Sequence, residues 1–358
     1  MIHFGMRVKS VQKIIGSRKL DAIYIAADRN VRYLTGFTGS SGFVLITKDS
    51  CLFSTDFRYK EQAGHEVRGC EIVIEKGKRI EVLRTLAKKR GIKKLGFETT
   101  VPYGFYELLR GLPVTLSPQS DIVENLRKVK DKGEIANIKE AAERAEKAFL
   151  TIKPKIRVGA RELEIALRLE EQLKKGGCKS IPFDIIVASG KNSAMPHAQP
   201  TERKIEKGDF VIIDWGGEAN GYYSDMTRTL LMAGRDLSEK IKIYKVVNNA
   251  RKLAIDAAGK GTGTREIDRT ARDTISKAGY GDFFGHGTGH GVGLDVHENP
   301  RVSWMKNERV RSGMVFTIEP GIYIPDLGGV RIEDMVAVNE NGTVLLTTLS
   351  RELEIIKA

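Results

Sequence analysis

Residues 209–230 read DFVIIDWGGEANGYYSDMTRTL. The apolar run Val211-Ile212-Ile213 leads into Asp214, and Asn220-Gly221 stands between Asp214 and Asp225. An Asn-Gly pair between apolar runs signals a two-residue hairpin, because both central residues of that turn adopt positive φ. With the pair as the loop, Gly216 faces Asp225, and Asp214, two residues along, shares a face with Asp225. Diagonal neighbours in such a ladder sit about 7–8 Å apart at the backbone, with side chains closer. Two carboxylates so placed can converge on a metal pair about 3.5–4 Å apart. Asp214 also emerges from a strand apolar enough to be buried, and a buried anion is costly unless it is paired or metal-bound.

A second hairpin follows the same logic. FTIEPGIYI (316–324) and GVRIEDMVAV (329–338) flank a turn at Pro325-Asp326-Leu327-Gly328-Gly329. A three- or five-residue loop centred on Asp326 or Leu327 brings Glu319 close to Glu333, with Arg331 on the face of Glu333. Between the two acidic hairpins lies FGHGTGHGVGLDVHENP (284–300), which holds His286, His290 and His297. Glycine permits positive φ and close backbone approach, so this run can present imidazoles without crowding them. His197, in SAMPHAQP, is a fourth candidate.

Taken singly, each residue has a bland reading that is the better bet. Asp225 after Ser224 reads as a turn or cap acid, Glu333-Asp334 as a solvated pair, and Glu319 before Pro320 as a strand end. His286 reads equally as a pocket wall or a satisfied core imidazole. Taken together, four acids emerging from apolar strands beside a Gly-His run favour a metal site.

Composition sets the frame. The 358 residues are 41% hydrophobic and 29% charged, as in a soluble globular protein of one large or two ordinary domains. No run reaches the roughly 18 apolar residues of a membrane helix, and MIHFGMRVKS lacks the apolar core of a secretory signal. The net charge of +13 could draw nucleic acid or an acidic surface. Its basic residues are scattered beside acids on helical stretches, so solvated helix faces are favoured and nucleic-acid binding is disfavoured. Cys51, Cys70 and Cys178 are widely spaced and odd in number. That argues against a disulfide framework or a thiolate metal cluster and fits a reducing cytoplasm.

Periodicity predicts strands at 21–27, 42–49, 51–55, 71–76 and 94–99, alternating with helices at 8–19, 78–91 and 102–112. This is an α/β N-terminal domain. The long charged helical stretch beginning at Ser120 places a boundary near residue 127, giving domains 1–127 and 128–358. The second domain is α+β. Its helices are expected at 161–177, 238–259 and 265–280, and its strands at 184–189, 209–216, 222–232, 314–324, 329–338 and 343–347.

Four segments, FDIIVASGKNSAMPHA, IDWGGEANGYYSDMTRT, GHGVGLDVHENP and GMVFTIEPGIYIPDLGGVRIED, resemble in order the pita-bread metallopeptidase superfamily (creatinase and methionine aminopeptidase relatives), in its proline-directed branch of prolidase and aminopeptidase P. YLTGFTGSSG and STDFRYKEQA are similar to the smaller creatinase-like N-terminal domain of those enzymes, so the likeness spans nearly the whole chain. It implies a pita-bread catalytic domain with a dinuclear centre. Asp214, Asp225, His290, Glu319 and Glu333 would be its metal ligands, Asp225 and Glu333 bridging. The resemblance further implies that His197 and His297 contact and polarise the scissile carbonyl; general acid–base chemistry adds Glu319 as a proton shuttle to the leaving nitrogen. His286 would line the substrate pocket, and Arg331 would stand beside the last glutamate. The implied cofactors are two divalent ions, Mn²⁺ first, with Co²⁺, Fe²⁺ or Zn²⁺ also compatible with the donors. The implied reaction is hydrolysis of Xaa-Pro bonds by a hydroxide bridging the metals, in peptides with proline at the second position, by a cytoplasmic homodimer. The rival from another class is a non-catalytic peptide- or protein-binding module on the same fold. An intact ligand set argues against it.

Overall fold

The computed structural model describes residues 4–357 and divides into two compact units, Met1–Arg127 and Lys128–Ala358. In the first, six strands form one sheet in the order β4-β3-β2-β1-β5-β6. They are β1 (Ala22–Ile25), β2 (Phe43–Thr47), β3 (Cys51–Thr55), β4 (Glu71–Ile74), β5 (Lys94–Glu98) and β6 (Thr115–Gln119). β1 pairs antiparallel with β2 and parallel with β5, so the sheet is mixed. Its helices are α1 (Phe4–Ser17), α2 (Asp28–Thr35), α3 (Lys60–Glu66), α4 (Arg79–Lys89), α5 (Tyr103–Arg110) and α6 (Ile122–Arg127). Tyr24, Phe43, Leu45, Leu83, Leu95 and Leu109 make one buried cluster, which is why β1 and β2 read as continuous apolar runs.

The cysteine reading needs correction. Cys51 and Cys70 are joined in a disulfide with Cα atoms 4.7 Å apart. β3 and β4 run parallel with Leu52 opposite Glu71, so Cys51 and Cys70 face each other at the start of that ladder. Sequence spacing could not show a pairing that depends on strand register. Three elements of this unit also escape periodicity: α2, α3 and β6. β6 carries Pro118 and lies at the sheet edge, where a missing N–H is tolerated.

The second unit opens with α7 (Lys132–Ile152) and α8 (Glu162–Lys175). Asp131 and Glu134 cap α7 reciprocally, so the long charged stretch is broken between Arg127 and Lys132. Strands β7 (Ile186–Ser189), β8 (Phe210–Trp215), β9 (Glu218–Ala219), β10 (Tyr222–Tyr223) and β11 (Met226–Met232) follow, then helices α9 (Ser238–Ala257) and α10 (Thr264–Lys277). The remainder is β12 (Gly289–Gly291), β13 (Glu298–Val302), β14 (Val315–Ile318), β15 (Gly321–Ile324), β16 (Gly328–Arg331), β17 (Asp334–Asn339), β18 (Gly342–Leu345) and β19 (Ile355–Ile356). Two sheets result, β19-β11-β8-β7 and β13-β12-β14-β17-β18, with β9-β10 and β15-β16 as separate two-stranded ribbons. Ile243, Val247, Ile267 and Ala271 of α9 and α10 bury against Phe210, Leu231, Phe316 and Val336 of the strands. On α7, Phe149 stacks on Trp215, whose indole N–H donates to the Ala145 carbonyl. No helix among the described residues is long and apolar enough to cross a membrane.

Candidate metal centre

The first acidic hairpin forms in the expected register. Trp215 pairs with Met226, Asp214 with Thr227 and Ala219 with Tyr222. Asn220 and Gly221 both have positive φ, 50° and 78°. Asp214 and Asp225 therefore lie diagonally on one face. In the second hairpin Ile324 pairs with Gly328, so the loop is the three residues Pro325-Asp326-Leu327. The expected unbroken strands at 314–324 and 329–338 are each interrupted, at Glu319-Pro320 and at Ile332-Glu333. Both glutamates thus stand where the ladder opens.

His290 sits on β12, between β13 and β14. Its Gly-rich surroundings form a strand that periodicity did not predict. The glycines there do not use positive φ. What they provide is close approach: a Cβ at Gly289 would meet the Thr317 carbonyl oxygen at 1.9 Å, and one at Gly291 the Asn299 carbonyl oxygen at 2.3 Å.

Asp225, His290 and Glu333, all buried, each offer a ligand atom within 4.8 Å of the others. His290 Nε2 is 3.5 Å from Asp225 Oδ2 and 3.3 Å from Glu319 Oε1. Its Nδ1 lies 3.1 Å from the Gly291 carbonyl, which puts the ring proton on Nδ1 and leaves the Nε2 lone pair facing the carboxylates. Thr227 donates to Glu333 Oε2 at 2.7 Å, and Thr317 to Glu319 Oε1 at 3.1 Å. Arg331 gives its Nη2 to Asp214 Oδ2 at 2.6 Å rather than to Glu333. Its Nη1 donates to the Tyr323 hydroxyl and its Nε to Thr227. Asp214 Oδ1 is buried without a hydrogen-bond partner.

These carboxylates oppose one another's ionisation. Burial first, then the charges of Glu333, Asp214 and Glu319, push Asp225 well above the usual carboxylate range. Burial, then Glu319 and Asp214, do the same to Glu333. Burial raises Glu319 to about 7. Burial and the neighbouring His297 hold His290 at about 3, so its imidazole is neutral, the form that binds metal. Four carboxylates facing Arg331, with Arg301 also lowering Glu319, are short of positive charge. The orphaned Asp214 Oδ1 and the hard oxygen donors with one neutral imidazole fit divalent cations.

All nine candidate residues from the sequence line a single cavity of about 760 Å³. His297 stands edge-on to His290, with ring centroids 4.4 Å apart. His197 is exposed on its wall. His286 Nδ1 lies 2.8 Å from the Gly287 carbonyl and Nε2 2.9 Å from the Tyr323 hydroxyl. Burial lowers its pKa to about 4. Arg331 therefore donates to Tyr323, Tyr323 to His286 and His286 to its own chain, one continuous line of satisfied groups. Sequence reasoning missed Tyr323, Thr227 and Thr317, which carried no signal apart from strand alternation. It also missed Asp268 and Arg272, an i,i+4 ion pair on α10. That spacing was visible but is common on any helix surface.

Residues 136–340 match metallopeptidase family M24, and residues 7–129 match the creatinase/prolidase N-terminal domain. An Xaa-Pro dipeptidase of Pyrococcus horikoshii is 39% identical, covering 97% of this chain and 98% of its own. A solved Xaa-Pro dipeptidase from Bacillus anthracis superposes with a TM-score of 0.96 at 40% identity, over 99% of this chain and 100% of that one. An X-Pro aminopeptidase from Thermotoga maritima gives a TM-score of 0.88 at 35% identity, over 98% and 99%. With its matched peptidase region holding the group that could bind a metal and its N-terminal region matched separately, the chain belongs to metallopeptidase family M24.

Proposed function

We propose that this enzyme is a metal-dependent exopeptidase that hydrolyses Xaa-Pro bonds. The carrying observation is the convergence of Asp214, Asp225, His290, Glu319 and Glu333 on one cavity, with a buried carboxylate oxygen lacking any partner. The substrate class is supported by full-length relatives named as Xaa-Pro dipeptidases and an X-Pro aminopeptidase.

Asp214, Asp225, His290, Glu319 and Glu333 would hold two divalent cations. When bound, the cations supply a nucleophile from water near neutral pH and a Lewis acid for the carbonyl. The rest falls to the chain's own groups. His197 and His297 reach into the cavity as ring N–H donors for the carbonyl oxygen as it gains charge. Donors set in advance in a low-dielectric site stabilise such charge without reorganising. Glu319 passes a proton to the leaving proline nitrogen. His286, neutral and tied to Tyr323, gives the cavity an uncharged wall against the proline ring.

The same proposal takes Mn²⁺ as the metal, on its preference for hard oxygen donors. It takes a homodimer as the working assembly and the cytoplasm as the compartment, where the Cys51–Cys70 bond has to resist the reducing thiol pool. Dipeptidase activity is favoured over aminopeptidase activity by the Bacillus anthracis and Pyrococcus relatives. The test is hydrolysis of Ala-Pro and of Arg-Pro-Pro with Mn²⁺, each with and without chelator. Chelator-sensitive cleavage of Ala-Pro alone supports the dipeptidase reading. No cleavage of either peptide overturns the activity.

A further inference from the structure

Arg272 on α10 joins two parts of the cavity wall that the proposed reaction leaves unexplained. Its guanidinium carbon is 4.4 Å from the ring centroid of Phe284 and 4.4 Å from that of Trp304. Nη1 donates to the Phe284 carbonyl and Nη2 to the His286 carbonyl, both at 2.8 Å. Nε and Nη2 also donate to the Asp268 carboxylate, at 3.2 and 3.0 Å. Asp268 Oδ1 in turn accepts from the amide and hydroxyl of Thr288. The cation is thus fixed in plane by paired hydrogen bonds before either ring stacks on it.

Trp304 lines the same cavity as the ligand cluster, yet it is 46% exposed, and Met305 beside it is 70% exposed. A large ring held in one orientation against a planar cation, with apolar surface left facing a substrate cavity, is a preformed contact for an apolar group. Preorganisation matters because a free ring would give up part of its contact energy in being ordered. Lysine could not hold it, since an ammonium has neither the plane nor the fork.

We propose that Trp304, with Met305, is a specificity-determining surface that takes an apolar side chain of the bound peptide, and that Arg272 is the positioning residue that fixes the Trp304 ring. The choice of peptides rests on the Xaa-Pro reading; the apolar contact does not. The side chain taken is either the one before the proline or one after it, and the two are separable by substrate.

The test uses the full-length metal-loaded enzyme. Steady-state kinetics compare Ala-Pro, Leu-Pro and Phe-Pro, and then Ala-Pro-Ala with Ala-Pro-Leu. Trp304→Ala raises KM about tenfold for the apolar member of one series and less than twofold for its alanine counterpart. Arg272→Lys reproduces that KM pattern, whereas a merely structural role would lower kcat on every peptide alike. Binding is read without turnover from tryptophan emission, using Leu-Pro and Ala-Pro-Leu analogues whose scissile amide is reduced to an amine. The chain has two tryptophans, and Trp215 is fully buried. The wild type therefore shows a blue shift with one leucine analogue that is absent in Trp304→Phe and with the matching alanine analogue. A shift without hydrolysis of any peptide retains this contact and removes the Xaa-Pro activity. Equal KM changes on all peptides, or no emission shift with either leucine analogue, overturn the contact. So does loss of a dimer in Trp304→Ala by size-exclusion chromatography, which would make the ring a subunit contact.

Discussion

His290 and Glu319 are set by one hydroxyl: Thr317 Oγ1 accepts from the His290 amide at 3.1 Å and donates to Glu319 Oε1 at 3.1 Å. One side chain therefore fixes the backbone of His290 and the carboxylate of Glu319, and the imidazole and carboxylate face each other across 3.3 Å. Such outer partners are typically worth about 10–100-fold in metal affinity. Thr317→Val, close in shape but without the hydroxyl, is expected to weaken metal binding by that order. Calorimetric titration of stripped protein with Mn²⁺ measures it, and an unchanged affinity would remove Thr317 from the account.

His286 gives a pH dependence of known sign. Burial holds its imidazole at about 4 against 6.5 for a free one. The unfolded chain takes up this proton first as the pH falls, so the contribution of His286 to stability is complete above pH 6.5. It is lost as the pH drops toward 4. At roughly 1.4 kcal/mol per pK unit the full loss is at most about 3.5 kcal/mol. Urea denaturation of wild type and His286→Gln across pH 7 to 4 should show a shallower loss in the variant. Parallel slopes would mean that His286 is not held neutral.

His297 stands against His290, outside the Asp225-His290-Glu333 group that could hold a metal. With a donor role toward the carbonyl, His297→Ala is expected to lower kcat about 100-fold or more, the usual loss when one such donor is removed. Metal content by mass spectrometry should stay the same. A normal turnover number would end the donor role, and lost metal would make His297 a ligand.

Much of this site's geometry is legible in the sequence, and the reason is local. The Asn220-Gly221 turn and the Pro325–Leu327 loop fix register, and register alone sets Asp214 against Asp225 and Glu319 near Glu333. The hidden parts depend on distant neighbours. β12 is Gly-His-Gly, poor in strand-forming residues, and is a strand only because β13 and β14 close in on its bare backbone. α2 and α3, eight and seven residues long, open on Ala27 and Tyr59, which give no side-chain cap and so no start signal. The bond between Cys51 and Cys70 follows from β3 and β4 lying side by side, which nothing in the spacing declares. Arg331 was expected beside Glu333 from its place on the strand. Its long side chain instead reaches Asp214 on another strand, where an unpaired buried charge would be costly.

That disulfide makes a prediction of its own. It closes a loop with a sequence separation of 19, and a loop of this size contributes about 3 kcal/mol through the unfolded chain. Dithiothreitol, or Cys51→Ala with Cys70→Ala, is expected to lower the midpoint of thermal unfolding of residues 1–127 by several degrees. The midpoint of residues 128–358, read separately by calorimetry with Mn²⁺ present, should hold. An unchanged midpoint on reduction would show that the bond is not formed in solution.

The most direct measurement is metal stoichiometry. Chelator-stripped protein, reloaded with Mn²⁺ and freed of excess by gel filtration, is to be assayed by mass spectrometry beside Asp225→Ala and His290→Ala. Two ions per chain in the wild type, falling to one or none in both variants, is the expected result. Wild-type protein that retains no metal, or variants that retain as much as the wild type, would contradict the account.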